Sequence, residues 1–416
     1  MRNLMLSLGL IAAILGEGNM GNCSEVRIGP TGFLEKDGKP LFVIGAYSPP
    51  KGGDANVVAS MGFNLLSIGA DPKDWDACKE AGLFIWHTLG LDHSGADVAA
   101  KEAALTERVA KFKDHPNLLI WESTDEPAWS DEAPEKPRYS AEALTKGYRF
   151  LKTLDGAHPV YLNHAPRNTV ETLRKYNSAA DILCVDVYPV MPPNLKKSYA
   201  IIPPGGVSRI ARQTDMPDLS PACVGDYVDK MKQVAYEGMP VFVVLQGFAW
   251  EALNPEVQRD PALVVYPNLQ ELRFMAYQAI VHGANGLTVW GLSHNDNQAY
   301  LADLSAVLNE VRAMEPFILG WRYRDQPARR YRERGSSITK GVECLITETD
   351  GAVTLFAVNA SVDPATVQFS ALPASFDGIA ELEVLNENRK VKVDQGAFEE
   401  DFGGLGVHVY QGRRGD

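Results

Sequence analysis

Short apolar runs recur along most of the chain, and each is followed by a stretch with helical spacing. The runs are Phe42–Tyr47, Phe63–Ile68, Leu83–His87, Leu118–Ser123, Pro159–His164, Ile182–Tyr188, Val241–Gln246 and Gly286–Trp290. They are nearly continuous rather than alternating, which predicts strands buried on both faces. The segments between them, such as Ala96–Lys113, Ala141–Leu154 and Leu269–His282, carry the helical period. Eight such strands with interleaved helices over about 300 residues predict a closed (β/α)8 barrel. No GxGxxG turn follows a strand to support an open doubly wound sheet. Ahead of the barrel, Ile28–Leu41 has hairpin character, with a turn at Lys36-Asp37-Gly38-Lys39.

From about Tyr331 the rhythm changes. Val353–Asn359, Thr366–Phe369, Ala380–Leu385, Val391–Val393 and Val407–Tyr410 read as strands separated by turns, with no helical pattern among them. This predicts a small antiparallel β-sandwich. The fold class is therefore α/β, a (β/α)8 TIM barrel followed by a β-sandwich. The expected division is a leader over residues 1–22, a barrel over 23–328 and a sandwich over 329–416. Arg329, Arg330, Arg332 and Arg334 cluster at the junction and read as a solvated or interdomain face.

Composition narrows the function. The 416 residues are 45% hydrophobic and 22% charged, as in ordinary globular proteins. The formal net charge of −13 argues against nucleic acid or an anionic membrane surface as partner. Arg2 followed by the apolar Leu4–Leu15 has the form of a signal peptide, too short to span a bilayer. Secretion or periplasmic export is expected. Cys23 would be the site of a lipid anchor, although Met20-Gly21-Asn22 matches a lipobox poorly. The five cysteines have no metal-binding spacing, and neither His-x-His nor His-Glu-x-x-His occurs, so no metal or other cofactor is expected.

The candidate chemistry centres on His115–Trp129, HPNLLIWESTDEPAW, where an apolar strand stops at Asp125, Glu126 and Pro127. A barrel places its chemistry at this end of its strands. The bland alternative is that these acids merely cap the next helix. If the barrel is right, its mouth gathers Tyr47, His87, Asp125, Glu126, Asn163, His164, Asp186, Tyr188, Gln246, Trp290 and His294, with Trp129 and Trp250 just beyond. Aromatic faces beside hydrogen-bonding side chains suit a sugar ring, so a carbohydrate substrate is expected. Trp86 and Trp121 fall inside strands and read as core. Glu122 is a weaker candidate for chemistry. No Gly-x-Ser-x-Gly elbow points to a serine hydrolase.

These motifs resemble the clan A glycoside hydrolases, retaining (β/α)8 enzymes. Their fourth strand ends in Asn-Glu-Pro, and here Asp125-Glu126-Pro127 stands in that place. Asp186-Val187-Tyr188-Pro189 is similar to their sixth strand. Tyr277–Ile280, followed by His282–Leu287 and Trp290, is similar to their eighth. Leu405–Tyr410 resembles the closing strand of their sandwich appendages. The resemblance implies that Glu126 is the acid/base and that Trp290 floors the sugar site. It also implies a nucleophilic Glu at the end of the seventh strand, where this chain has Gln246.

An amide cannot form the glycosyl ester. Three readings stay open. The second carboxylate is Asp186 or Glu251, with a separation of about 5 Å for retention or about 6.5–9.5 Å for inversion. Or a 2-acetamido group of the substrate attacks, with Asp125, Glu126 and Tyr188 assisting. Or the barrel only binds glycan. Gln246 itself either orients a substrate group or is a strand-end amide satisfied by its neighbours.

Overall fold

The computed structural model describes residues 25–129, 136–166, 168–192, 220–334 and 340–414. The leader and Cys23 lie outside these residues. A three-stranded antiparallel sheet, β1 (Val26–Ile28), β2 (Leu34–Lys36) and β3 (Lys39–Leu41), opens the fold. Asp37 and Gly38 turn β2 into β3 with φ of 51° and 76°, the left-handed pair that a tight hairpin requires.

Eight parallel strands then close a barrel. They are β4 (Val43–Ala46), β5 (Leu65–Ser67), β6 (Phe84–Thr88), β7 (Leu118–Glu122), β8 (Val160–His164), β9 (Ile182–Asp186), β10 (Val241–Gln246) and β11 (Gly286–Trp290). The intervening helices include α1 (Ala55–Ser60), α2 (Pro72–Glu80), α3 (Val98–Phe112), α4 (Ala141–Leu154), α5 (Val170–Arg174), α6 (Cys223–Val234), α7 (Leu269–Val281) and α8 (Gln298–Ile318). Their starts are chemically marked: Asp71 caps α2 ahead of Pro72, and Asn268 with Glu271 forms a reciprocal capping box on α7.

Both faces of each barrel strand are apolar because each meets a core. One face fills the lumen with Val43, Leu65, Trp86, Ile120, Tyr161, Ile182, Cys184, Phe242 and Val244. Val26 and Leu34 of the opening sheet pack into this same cluster and plug the barrel. The other face carries Ile44, Ile85, Trp121, Leu162 and Val243 toward the helices. Gly45 makes room for this lumen. A Cβ there would stand 2.9 Å from the Trp86 ring and 3.1 Å from Thr288.

The sandwich consists of a six-stranded and a three-stranded antiparallel sheet. Its first paired strand is β12 (Trp321–Arg322). It continues through β13 (Ala328–Arg334), β14 (Val342–Thr349), β15 (Ala352–Asn359), β16 (Ala365–Ser370), β17 (Glu381–Val384), β18 (Arg389–Lys392), β19 (Phe398–Phe402) and β20 (Val407–Arg413). The arginine cluster is therefore a strand, β13, at one edge of the smaller sheet, with Arg332 paired to Glu399 at 2.5 Å. Leu345, Phe356, Val358, Val407 and Val409 share one core with the barrel helices. Arg273 on α7 fastens the junction, bonding Glu310 and donating to the Val407 carbonyl at 2.7 Å.

Candidate active site

The β4–β11 mouth holds a cavity of about 370 Å3. It has a polar end and an aromatic wall. Asp125, Glu126, Asn163 and Asp186 make the polar end, with Tyr47 beside them. Tyr188, Phe248, Trp250 and Trp290 make the wall, and Trp129 also lines the space.

The polar end follows from strand parity. Along β8 and β9, Tyr161, Asn163, Cys184 and Asp186 alternate inward, so Asn163 and Asp186 project up from the lumen. The Asn163 Nδ2 group donates to Asp125 Oδ1 at 3.0 Å and to Asp186 Oδ1 at 3.3 Å. Glu126 follows the end of β7 with φ of 42°, left-handed backbone that a non-glycine residue holds at a cost. Two backbone bonds hold it there: its N–H donates to the Asn163 carbonyl and its carbonyl accepts from Trp129 N–H, both at 3.1 Å.

This posture puts the Glu126 side chain against Asp186, with which it is hydrogen-bonded. Arg138 holds its outer oxygen at 2.9 Å. Burial, and then the charges of Glu126 and Asp125, hold the Asp186 carboxyl well above the ordinary carboxylate range. Burial and Asp125 also raise Glu126, but Arg138 pulls it back. Burial thus favours a shared proton in this hydrogen-bonded pair, and the upward shift is the stronger for Asp186.

The wall is built of interlocked rings. Tyr188 lies against Trp290 with centroids 5.8 Å apart and planes 29° apart. Phe248 stands edge-on to Trp290 at 5.0 Å. The Trp250 indole donates to the Tyr188 carbonyl at 3.1 Å. Under the site, the Tyr47 and Tyr161 hydroxyls meet at 2.9 Å. Glu122 lies in the lumen and accepts from Trp86 at 2.8 Å and Thr88 at 2.5 Å, and burial lifts its carboxyl to about 7. It does not line the cavity.

Several expected mouth residues stand elsewhere. His87 and His164 have the outward parity of their strands. His87 gives its Nδ1 to the Ile68 carbonyl at 2.8 Å and packs among Trp75, Phe112 and Trp121. His164 is fully buried edge-on to Tyr176, and burial drives its pKa down to about 3. Both belong to the layer between strands and helices rather than to a substrate site. His294 is exposed at the rim, against Trp290 and outside the cavity lining. Glu251 turns away, its Oε1 accepting from Asp260 N–H at 2.9 Å.

Gln246 is fully buried and spent. Its Oε1 accepts from Val190 N–H at 3.0 Å, and its Nε2 donates to the carbonyls of Val190 at 2.7 Å and Phe248 at 3.0 Å. It braces backbone and leaves nothing for a substrate. Arg138, Tyr227 and Met191 were not foreseen. Arg138 lies in a loop with no motif around it, while Tyr227 belongs to α6, which only the folded chain brings to the mouth.

Among the described residues, no group of three or more His, Cys, Asp or Glu side chains is arranged to hold a metal. None of their helices is long and apolar enough to cross a membrane. Cys78, Cys184 and Cys344 are free thiols.

Glycoside hydrolases are among the solved structures similar to this chain. An α-amylase from Anoxybacillus matches with a TM-score of 0.55 at 9% identity, covering 90% of this chain and 98% of its own. The α-amylase of Geobacillus thermoleovorans in complex with acarbose matches at 0.54 and 10% identity, covering 90% and 99%. A maltogenic α-amylase, AmyB, from Thermotoga neapolitana matches at 0.50 and 8%, covering 89% and 98%. The fold is thus a TIM barrel with a β-sandwich, an architecture shared with these enzymes. At such identities the likeness establishes the fold, and the chemistry rests on the side chains themselves. No sequence family and no curated protein matches the chain.

Proposed function

We propose that this chain hydrolyses O-glycosidic bonds of an oligo- or polysaccharide, with Glu126 as general acid/base and Asp125 supporting it. The observation that carries the proposal is the hydrogen-bonded Glu126–Asp186 carboxyl pair, buried beside an aromatic wall suited to a sugar ring. Glu126 is the outer member and reaches the glycosidic oxygen. Asp186 is the atypical second group: it stores the proton that Glu126 delivers. As the leaving oxygen takes that proton, both carboxyls become anionic. Arg138 on Glu126 and the Asn163 amide on Asp186 then offset the charge.

The known two-carboxylate mechanisms set their acids about 5 Å or about 6.5–9.5 Å apart across the scissile bond. Here Glu126 and Asp186 touch, leaving no space for a sugar carbon or a water between them. They act as one acid rather than as an acid facing a nucleophile. The second reading, a barrel that binds glycan without cleaving it, draws on the closed state of Gln246. Export belongs to the proposal as well, on the strength of the leader at Arg2–Leu15.

The test is a screen of aryl glycosides with the wild type beside Glu126→Gln. The proposal expects a folded variant, by circular dichroism, that has lost nearly all turnover. Binding of oligosaccharide by a wild type that cleaves nothing would establish the second reading instead.

A further inference from the structure

We infer that the sugar cleaved here carries a 2-acetamido group, and that this group, rather than a protein side chain, attacks the anomeric carbon. The inference rests on the glycosidase reading above and names its substrate class.

The first support is where the carboxyls stand. Asp125, Glu126 and Asp186 form one cluster, tied through the Asn163 amide and the Glu126–Asp186 contact. Among the described residues they are the only carboxyls that line the cavity. The rest of the lining includes Phe248, Trp250 and Leu253, which carry no carboxyl, and Gln246 is closed off by its bonds to Val190. Among the described residues the cavity therefore offers a proton donor and no second, opposing carboxyl.

The second support is the Asn163 amide. Its Nδ2 spends its hydrogens on two carboxyls, so the network fixes Oδ1 as an acceptor. That oxygen is buried and has no partner, on a side chain only 5% exposed that lines the cavity. A stranded acceptor calls for a donor from the ligand. An acetamide N–H placed between Asn163 and Asp125 supplies one.

The third support is the apolar side. Val187, Met191 and Leu253 present no hydrogen-bonding side-chain group, so a sugar hydroxyl turned toward them would be stranded. A methyl group is not.

The step balances. The acetamide oxygen forms a bond to C1 while the bond from C1 to the leaving oxygen breaks. That oxygen takes the proton of the Glu126–Asp186 pair, and the alcohol departs. Asp125 accepts the amide proton as the oxazoline ring closes, then returns it as the ring opens. Water adds at C1 and yields its own proton to the pair. One water is consumed, and the configuration at C1 is retained.

Full-length protein would be assayed on 4-nitrophenyl 2-acetamido-2-deoxyhexosides, the parent hexosides and 2-trifluoroacetamido analogues. The thiazoline mimic of the cyclised sugar would be titrated by calorimetry. The expected result is turnover confined to the acetamido substrates, slowed about tenfold or more by fluorination, because fluorine weakens the attacking oxygen. Glu126→Gln should abolish it, and the thiazoline should bind. Turnover of parent hexosides at comparable rates, or indifference to fluorination, would overturn this inference while leaving Glu126 as the acid. No turnover of any glycoside, with no thiazoline binding, would overturn the glycosidase reading and this inference together.

Discussion

Gln246 and Val190 are joined by two hydrogen bonds, Oε1 from Val190 N–H at 3.0 Å and Nε2 to the Val190 carbonyl at 2.7 Å. The end of the seventh barrel strand is thereby locked to the loop that leaves the sixth. Gln246→Glu should not create a nucleophile. It replaces a donor with an acceptor facing the Val190 and Phe248 carbonyls. We expect a loss of about 2–4 kcal/mol in stability, measured by denaturant titration. A stable variant that traps a covalent glycosyl-enzyme would contradict this account.

Glu126 holds φ of 42°. Glycine adopts that backbone freely, and removing the side chain also takes one acid out of a crowded cluster. Glu126→Gly should therefore be inactive yet more stable than Glu126→Ala, by about 1 kcal/mol. Equal melting temperatures for the two variants would show that the backbone posture costs nothing.

Asp186 keeps its proton because burial and neighbouring charge raise its pKa. Above the ordinary carboxylate pKa, the unfolded chain releases a proton that the folded chain retains. Stability from this site therefore falls as pH rises, and levels off once Asp186 ionises. Activity should decline on the alkaline side for the same reason. Asp186→Asn should raise stability at neutral pH and lower turnover steeply. A variant with the wild-type pH–rate profile would remove Asp186 from the mechanism.

His282 clips the barrel to the sandwich. Its Nδ1 meets Asp229 at 2.8 Å and its Nε2 meets Glu343 at 3.0 Å. Burial alone lowers its pKa, but these two carboxylates override that and raise it to about 9. The stabilisation is fully present below the unfolded pKa of about 6.5 and is lost as pH rises through about 9. Half-exposed Asp229 reduces its size to on the order of 1–2 kcal/mol. Melting curves should fall across that window for the wild type and run flat for His282→Gln.

The barrel was legible because all eight strands are buried on both faces, so each printed an uninterrupted apolar run. Glu126, Asp186, Tyr188 and Trp290 could be placed at one mouth from strand ends alone. His87 and His164 were misplaced because a residue at a strand end has two possible directions, and an apolar run with no alternation hides the parity. Gln246 has inward parity but bends to the backbone of Val190, a contact that only the neighbouring loop creates. In the sandwich, Val342–Thr349 is interrupted by Glu343 and Glu348, and Phe398–Phe402 has three consecutive acids, so neither reads as a strand from the sequence. Arg138 carries no local signal at all; its meaning comes entirely from Glu126.

The plug of Val26 and Leu34 gives the barrel a closed lower end. With Trp86, Tyr161 and Phe242 filling the lumen above it, the carboxyl pair stands on a packed apolar floor. In the proposed reaction, substrate, departing alcohol and the proton that restores Asp186 all pass through the upper mouth. Recharging is therefore tied to clearance: the next cycle is armed only once the departing alcohol has vacated the doorway.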